Sequence, residues 1–285
     1  MDQGSGLAAS TVKVYACAIS ACHEGFAKTT VFGHPLVKRF LTGVRRLRPV
    51  RKATAPPWDL LLVLRALCEA PFEPLEQVPL KWLSIKTALL LALTSGKRVS
   101  DLRALTVAHI TGDGSRAVLR TDPSFVPKVV RSAFKSRDLV LGAFYPPPHG
   151  SEEEARLHRL CPVRALGCYV RRTAAVRSTP QLLVCHGSGR VGSPLSKQRL
   201  SHWICEGISK SYETAGCPLP GTVRAHSTRA VATSVALFNG VSVEDICAAA
   251  TWSSPSPFVR FYLLSMSSAS LASSVLGTAA GTSQR

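Results

Sequence analysis

Acidic residues are scarce in this chain of 285 residues. Only 17 Asp and Glu stand against 35 Lys and Arg, which leaves a formal net charge of +18. Hydrophobic residues make up 46% of the sequence and charged residues 18%, a balance typical of a globular protein and not of a charged disordered arm. A basic globular protein attracts polyanions, and nucleic acid is the commonest of them. The composition therefore favours phosphate binding or phosphate chemistry.

Several other patterns are missing. The nine cysteines form no C-x-x-C pair and no zinc-type Cys/His spacing, so we expect no metal and no cofactor. No apolar run approaches the length of a membrane span, which predicts no membrane partner. The Gly96-Lys97 pair lacks the first glycine of a phosphate loop, which leaves ATP binding without support. The N-terminal sequence does not resemble a secretory signal, and unpaired thiols favour the cytosol or nucleus.

A proline-bearing stretch over residues 53–57 indicates a domain boundary. Before it, helices are predicted over residues 10–27, capped by Ser10 or Thr11, and over residues 35–46. Seven cationic residues lie between Lys38 and Lys52. A solvated helix face or localisation signal and a DNA-contacting linker are both open interpretations of that cluster. This first part is too short for a comfortable core of its own, so we expect the end of a truncated domain.

After the boundary the patterns predict a mostly helical domain with a small sheet. Short β-like runs at 107–110, 117–120, 127–130 and 139–144 are separated by polar turns. Helices are predicted at 58–67, 80–94, from about 99, from about 152, and at 161–176, 196–215, 227–238, 242–251 and 257–264. The Ser/Ala/Gly-rich end after residue 265 predicts a short docking helix followed by disorder.

Three stretches combine polar chemistry with strong helix boundaries. In T-S-G-K-R-V-S-D-L, an apolar helix stops at Gly96 and Arg98 stands at the mouth of the next helix, a favourable place for an anion. The tetrapeptide H-S-T-R places His226 and Arg229 on one side of a helix, so both can reach one phosphate. Trp252 and Tyr262 form the third stretch. Each signal alone is weak, because aromatic residues in apolar surroundings usually belong to the core.

In this order and spacing the stretches resemble the tyrosine recombinases, the phage-integrase family. S-G-K-R-V-S-D-L is similar to the family's threonine/serine-glycine-x-arginine-x-serine-acid-leucine box, and H-S-T-R to its H-x-x-R box. Trp252 falls where the family has a second His or a Trp, and Tyr262 falls on its nucleophile. Two stretches are most similar to the recombinases of DIRS-type retrotransposons. Their sequences are R-A-H-S-T-R-A-V-A-T-S and C-A-A-A-T-W-S-S-P-S-P-F-V-R-F-Y.

The resemblance implies a fold and a domain plan. The fold is expected to be mainly α (α+β), with a tyrosine-recombinase-like catalytic domain and a small antiparallel β-sheet over residues 53–265. Residues 1–52 are expected to be the C-terminal part of a helical, SAM-like core-binding domain plus a basic linker. Residues 266–285 are expected to form a Ser/Ala-rich tail.

The resemblance also implies an activity. It is that of a site-specific DNA recombinase or integrase, a strand transferase that needs no metal or ATP and works through a 3′-phosphotyrosine intermediate. The expected substrate is double-stranded DNA, and the expected biological role is integration of a mobile element. Self-association as a tetramer on DNA and nuclear localisation, after synthesis in the cytoplasm, follow from the same likeness.

Residue roles follow from the resemblance too. Tyr262 is the expected nucleophile, Arg98 and Arg229 the expected clamp on the non-bridging oxygens, and His226 the expected proton acceptor or phosphate ligand. Trp252 can only donate a hydrogen bond, through its indole N–H. Lys128 is our choice for the hairpin lysine that protonates the leaving oxygen, with Lys135 the rival, and Asp101 is expected to orient a cation. The expected DNA contacts are Arg45, Arg46, Arg48, Arg51, Lys52 and Lys97.

Two departures keep other interpretations open. Ala230 follows Arg229 where many relatives have a basic residue, and the N-terminal region looks short for a full clamp around DNA. A catalytically inactive or truncated DNA-binding relic of a recombinase is therefore the main alternative. A type IB topoisomerase shares the chemistry but would relax supercoils as a monomer.

Overall fold

The computed structural model describes residues 6–26, 28–49, 55–107, 109–111, 113–127, 138–187 and 189–264. The chain divides into two compact units, Met1–Ala53 and Thr54–Arg285, called here the N-terminal and C-terminal units. In the described residues the architecture is mainly helical with one small antiparallel sheet, which confirms the predicted fold class.

The N-terminal unit consists of two helices that pack against each other, α1 (Ala9–Cys22) and α2 (Pro35–Leu47). Helix α1 is shorter than the predicted 10–27, because the chain is extended at His23 and its ring accepts a 2.9 Å hydrogen bond from the Gly25 N–H. The predicted cap at Ser10 or Thr11 is also wrong, since the helix begins after Ala8 with no side-chain cap. Helix α2 begins at the predicted Pro35, whose missing N–H costs nothing in a first turn.

The C-terminal unit contains eight further helices and three strands within its described residues. The helices are α3 (Leu60–Ala66), α4 (Leu80–Ser95), α5 (Val99–Arg103), α6 (Glu152–His158), α7 (Pro162–Thr173), α8 (Lys197–Thr214), α9 (Ser227–Phe238) and α10 (Val243–Ala249). A 3-10 turn, Ala174–Val176, extends α7, and a π-helical turn, Phe258–Tyr262, closes the described chain.

Helix α4 is the centre of the core. Every residue from Leu83 to Ala92 is buried, as expected for a helix that is apolar on all sides. It packs against α7, α8 and α9. Helix α8 approaches closely because a Cβ at Gly207 would lie 2.9 Å from the Cγ2 of Ile85. The long apolar run found in the sequence is thus the axis around which the other helices are arranged.

The sheet has the antiparallel order β1 (His109–Ile110), β2 (Arg116–Leu119) and β3 (Leu139–Gly142). Residues alternate between the two faces of a strand, so Ala117 and Leu119 point the same way as their partners Leu141 and Leu139. All four are buried in the main core. The connection from β2 to β3 contains the predicted hairpin lysines, Lys128 and Lys135, which lie outside the described residues, as does most of the predicted strand at 127–130.

The last predicted helix, 257–264, is not an α-helix. The chain makes a single π-helical turn in which the Leu263 N–H donates to the Phe258 carbonyl oxygen at 2.9 Å. This wider turn buries both Phe258 and Tyr262 beside Trp252, in a second apolar cluster separate from the main core. Single π-turns are frequent at functional sites.

Candidate active site

The candidate site is arranged around Arg229, which lies on helix α9. The side chain of Arg229 is only 1% exposed. Its Nη2 donates to the carbonyl oxygen of Ala250 at 2.6 Å. The guanidinium carbon lies 4.2 Å from the ring centroid of Trp252 and 5.2 Å from that of Tyr262. A buried cation is therefore held by one backbone oxygen and two aromatic rings, with no carboxylate within salt-bridge distance in the described chain.

The remaining donors of this guanidinium are unused. Neither Nε nor Nη1 of Arg229 has a hydrogen-bond partner within the described residues, although both atoms are buried. Burial and, to a smaller extent, the nearby positive charge of Arg98 together lower the pKa of Arg229 to about 10. The group is still charged at neutral pH. Two buried N–H donors on one uncompensated cation suit an incoming oxyanion.

Arg98 stands at the start of the neighbouring helix. It is the N-cap residue of α5, where free backbone N–H groups favour negative charge. Its Nη1 lies 3.9 Å from Oδ2 of Asp101, which in turn accepts a 3.2 Å hydrogen bond from Ser100 Oγ on its other oxygen. Asp101 therefore faces Arg98, in the place where a carboxylate can orient that cation.

Lys97 belongs to the same cationic cluster. Burial lowers its pKa, the charge of Asp101 opposes this shift and the charge of Arg229 adds to it. Lys97 is half-buried, whereas Arg45 and Arg46 on α2 are exposed. Lys97, Arg98 and Arg229 thus form one positive cluster with Asp101 as its only carboxylate among the described residues.

Gly96 determines how the chain turns from α4 into this cluster. Its φ of +57° is in the left-handed region, where glycine carries no steric cost. A Cβ at this position would also lie 3.2 Å from the methyl carbon of Thr233 on α9. The turn that carries Lys97 and Arg98 is therefore seated directly on the helix that carries Arg229.

Three rings complete the site. The Tyr262 ring lies 5.1 Å from the His226 ring and 4.8 Å from the Trp252 ring, centroid to centroid. Trp252 stacks on Phe258 at 5.5 Å, and its buried Nε1 has no partner within the described chain. Imidazole, phenol, indole N–H and guanidinium therefore converge on one point, and three of their buried donor atoms are unsatisfied.

The loop before Trp252 is strained. Thr251 has a φ of +55°, which is unfavourable for a β-branched residue. Its hydroxyl donates to the Ala250 oxygen at 2.7 Å, and the Trp252 N–H donates to the Cys247 oxygen at 2.8 Å. These bonds hold the turn that aims the Ala250 carbonyl and the Trp252 ring at Arg229.

The pocket is closed in this structure. Arg229 is 1% exposed, Trp252 5% and Tyr262 9%, so no large anion reaches the unused guanidinium donors without a shift of the covering side chains. His226, in contrast, is exposed at the start of α9. The cluster is therefore open to solvent on the His226 side and covered by Trp252 and Tyr262 elsewhere.

The structure thus brings together Arg98, Asp101, His226, Arg229, Trp252 and Tyr262, with Lys97 beside them. Among the other expected DNA contacts, Arg45 and Arg46 are exposed on α2, and Arg48 donates from Nη1 to the Leu7 oxygen at 2.7 Å. Arg51, Lys52, Lys128 and Lys135 lie outside the described residues. Thr233 and the Ala250 carbonyl could not be identified from the sequence, because their contacts with Gly96 and Arg229 depend on the tertiary fold.

Two features bear on other kinds of site. No group of three His, Cys, Asp or Glu residues in the described part of the chain is placed to hold a metal ion. No described helix is both long enough and apolar enough to cross a membrane.

Comparisons with known proteins give a likeness in structure only. No protein-family model matches the chain. No curated protein matches it in sequence. Among solved structures, XerA recombinase is similar with a TM-score of 0.48 and 14% identity, over 100% of this chain and 86% of that one.

Two further similar structures are complexes, one with a substrate and one with a core site. The XerH site-specific recombinase bound to difH substrate, a pre-cleavage complex, has a TM-score of 0.49 and 11% identity, over 98% of this chain and 72% of that one. A lambda integrase dimer bound to a COC′ core site has a TM-score of 0.49 and 14% identity, over 92% of this chain and 63% of that one. At 11–14% identity the likeness is one of fold alone.

Proposed function

We propose that this chain is a DNA strand transferase of the tyrosine recombinase type, which cuts and rejoins DNA through a phosphotyrosine intermediate. The observation that carries the proposal is the buried Arg229, whose Nε and Nη1 are unpaired. A phenol, an imidazole and an unpaired indole N–H surround it. A nucleophile directly beside unused oxyanion donors is the arrangement that phosphoryl transfer requires.

The chemical step balances with groups on this chain. Tyr262 Oη forms a bond to phosphorus, and the bond from phosphorus to the 5′ oxygen breaks. The phenol proton passes to a base, for which His226 is the candidate, and the 5′ oxygen takes a proton from an acid, for which Lys128 or Lys135 is the candidate. The phosphotyrosine retains the bond energy, so attack by a 5′ hydroxyl reverses the step and rejoins the strand.

The two arginines bind the transition state in this scheme. Their planar guanidinium groups can each hold two non-bridging oxygens, which a lysine ammonium cannot do with the same geometry. Trp252 adds one donor through Nε1. Asp101 acts on Arg98 and not on the phosphate, because it already lies 3.9 Å from that guanidinium.

The charge of the chain supports DNA as the substrate. A net charge of +18 and exposed Arg45 and Arg46 on α2 suit the backbone of a duplex. We further propose tetramer assembly on double-stranded DNA, integration of a mobile element and nuclear action. These last points are supported by the motif resemblance and by nothing in the geometry.

Covalent trapping tests the proposal. Incubation with a nicked duplex that cannot be rejoined should give a protein–DNA adduct that survives denaturation. Tyr262→Phe should abolish the adduct, whereas Tyr145→Phe, which removes the hydroxyl of an exposed tyrosine, should not. Salt-sensitive duplex binding without any wild-type adduct would instead identify an inactive DNA-binding relic.

A further inference from the structure

Ser234 links the helix that carries Arg229 to the segment that carries Tyr262. It lies on α9 and is fully buried, at 0% exposure. Its Oγ donates to the carbonyl oxygen of Tyr262 at 3.3 Å. The same Oγ accepts a hydrogen bond from the backbone N–H of Leu264 at 2.9 Å. One hydroxyl group therefore holds the main chain on both sides of Leu263.

This use of a helical hydroxyl differs from its neighbours in the fold. Ser and Thr inside helices usually donate to the carbonyl four residues earlier on their own helix. Thr233, one position before, does so toward the Arg229 oxygen at 2.7 Å, and Ser211 on α8 does so toward the Gly207 oxygen at 2.9 Å. The hydroxyl of Ser234 is instead bonded to Tyr262 and Leu264, which lie 28 and 30 residues further along the chain.

We propose that Ser234 is a positioning residue that fixes the reach of the Tyr262 nucleophile, an inference that rests on the proposed function. Arg229 and Ser234 belong to one rigid helix, so the tether sets the distance between the bound phosphate and the backbone of the attacking residue. Misplacement of a reacting group by about 1 Å can cost about a hundredfold in rate. The effect is expected on the reaction step and not on DNA binding, because Ser234 is fully buried.

The tether also fits the closed pocket. The Tyr262 side chain must swing away from Arg229 before a phosphate can enter, since Arg229 is 1% exposed. If the backbone of Tyr262 stays bonded to Ser234 during this motion, the phenol pivots about a fixed point. It then returns to the same place over the phosphate.

Ser234→Ala and Ser211→Ala are the matched test. Both remove one hydroxyl from a helical serine of 0% exposure, but only the first hydroxyl is bonded to the nucleophile segment. We expect single-turnover covalent trapping by Ser234→Ala to slow by about tenfold to a hundredfold. Its affinity for the duplex should stay within about twofold of wild type, since the tether carries no phosphate contact. Ser211→Ala should trap at the wild-type rate.

Amide hydrogen exchange gives a second readout that does not need activity. Ser234→Ala should speed exchange at the Leu264 N–H, which loses its acceptor, and leave the Trp252 N–H unchanged, since that amide is bonded to Cys247. Wild-type trapping rates in Ser234→Ala, or equal losses of rate in both variants, would overturn the inference. If wild type itself forms no adduct, the proposed function fails and the inference falls with it.

Discussion

Two buried cations in the C-terminal unit show opposite solutions to the same electrostatic problem. Lys86, on α4, is 0% exposed; its Nζ donates to the Leu67 oxygen at 2.7 Å and to Glu73. Arg164 completes this network with bonds of 2.7 and 3.0 Å to the two oxygens of Glu73. Arg229, at 1% exposure, has one backbone acceptor and two unused N–H groups.

This difference suits Lys86 to a structural role and Arg229 to the binding of an anion. Burying a charge is costly unless a counter-charge and hydrogen bonds accompany it. The fold supplies both to Lys86, because its ammonium donates to a carboxylate and to a backbone oxygen. At Arg229 the fold supplies neither in full, which leaves Nε and Nη1 free for the anion that the proposed function requires.

Arg229→Met should have the largest effect on cleavage. Methionine fills a similar volume but removes every oxyanion donor, so covalent trapping should fall by about a thousandfold or more. The free energy of unfolding should change by only about 1 kcal/mol, because the lost Ala250 hydrogen bond is offset by removal of an uncompensated buried charge. Gel-based trapping and urea denaturation of the same preparations measure the two quantities.

Arg164→Met is the matched control for this prediction. It removes a cation that is bonded to the Glu73 carboxylate. Arg164 does not belong to the aromatic cluster of Trp252, Phe258 and Tyr262. Trapping per folded molecule should stay at the wild-type level. The assignment of Arg229 to anion binding would be contradicted if Arg229→Met unfolded more readily than Arg164→Met and yet trapped DNA when folded.

Glu73→Gln should give the largest loss of stability. The substitution keeps the shape of the side chain but leaves Lys86 and Arg164 without a counter-charge. Breaking a buried ion pair on one side typically costs about 3–5 kcal/mol. Urea denaturation should show this loss, while trapping normalised to folded protein stays unchanged. Equal stability of wild type and Glu73→Gln would mean that the network does not compensate Lys86.

The two cations also show which features of the structure could be predicted from the sequence. The fold class could be predicted, because helix boundaries and apolar periodicity are local features. The grouping of Arg98, His226, Arg229, Trp252 and Tyr262 could be predicted only because their motifs resemble those of a known family. The pairing of Glu73 with Lys86 and Arg164 could not, since it joins segments 13 and 91 residues apart. One signal was present: a lysine inside the apolar helix α4 has to be buried with a partner.

The conformation of the Phe258–Tyr262 segment could not be predicted from the sequence either. Pro257 and the apolar residues after it predicted an α-helix, but the structure forms one π-helical turn. The wider turn depends on packing of Phe258 against Trp252, which no periodicity encodes. The end of α1 was missed for a similar reason, because the His23 ring bonds the Gly25 N–H only once the chain has turned.

Inorganic phosphate or vanadate should stabilise the wild-type protein through Arg229. A ligand that binds only the folded state adds about 2.7 kcal/mol at a hundredfold excess over its dissociation constant. For weak anions at millimolar concentration we expect about 1 kcal/mol, seen as a rise in Tm at constant ionic strength. Arg229→Met should lose this rise and Glu73→Gln should keep it. An equal rise in all three chains would mean general screening of the +18 charge.

The smallest effect concerns the pH dependence of the structural cation. Burial lowers the pKa of Lys86 to about 8, although the charge of Glu73 opposes the shift. The unfolded chain, with an ordinary lysine, therefore binds more protons between pH 8 and about 10.5, so the Lys86 contribution to stability rises with pH in that window. From pH 7.5 to 9 wild type should gain about 1 kcal/mol relative to Lys86→Met, since thiol titrations present in both chains largely cancel. Urea denaturation of the two chains at both pH values measures the gain. A difference that stays constant or shrinks with pH would show that Glu73 keeps Lys86 fully charged against burial and the positive charge of Arg164. Lys86 would then be better compensated than its pKa implies.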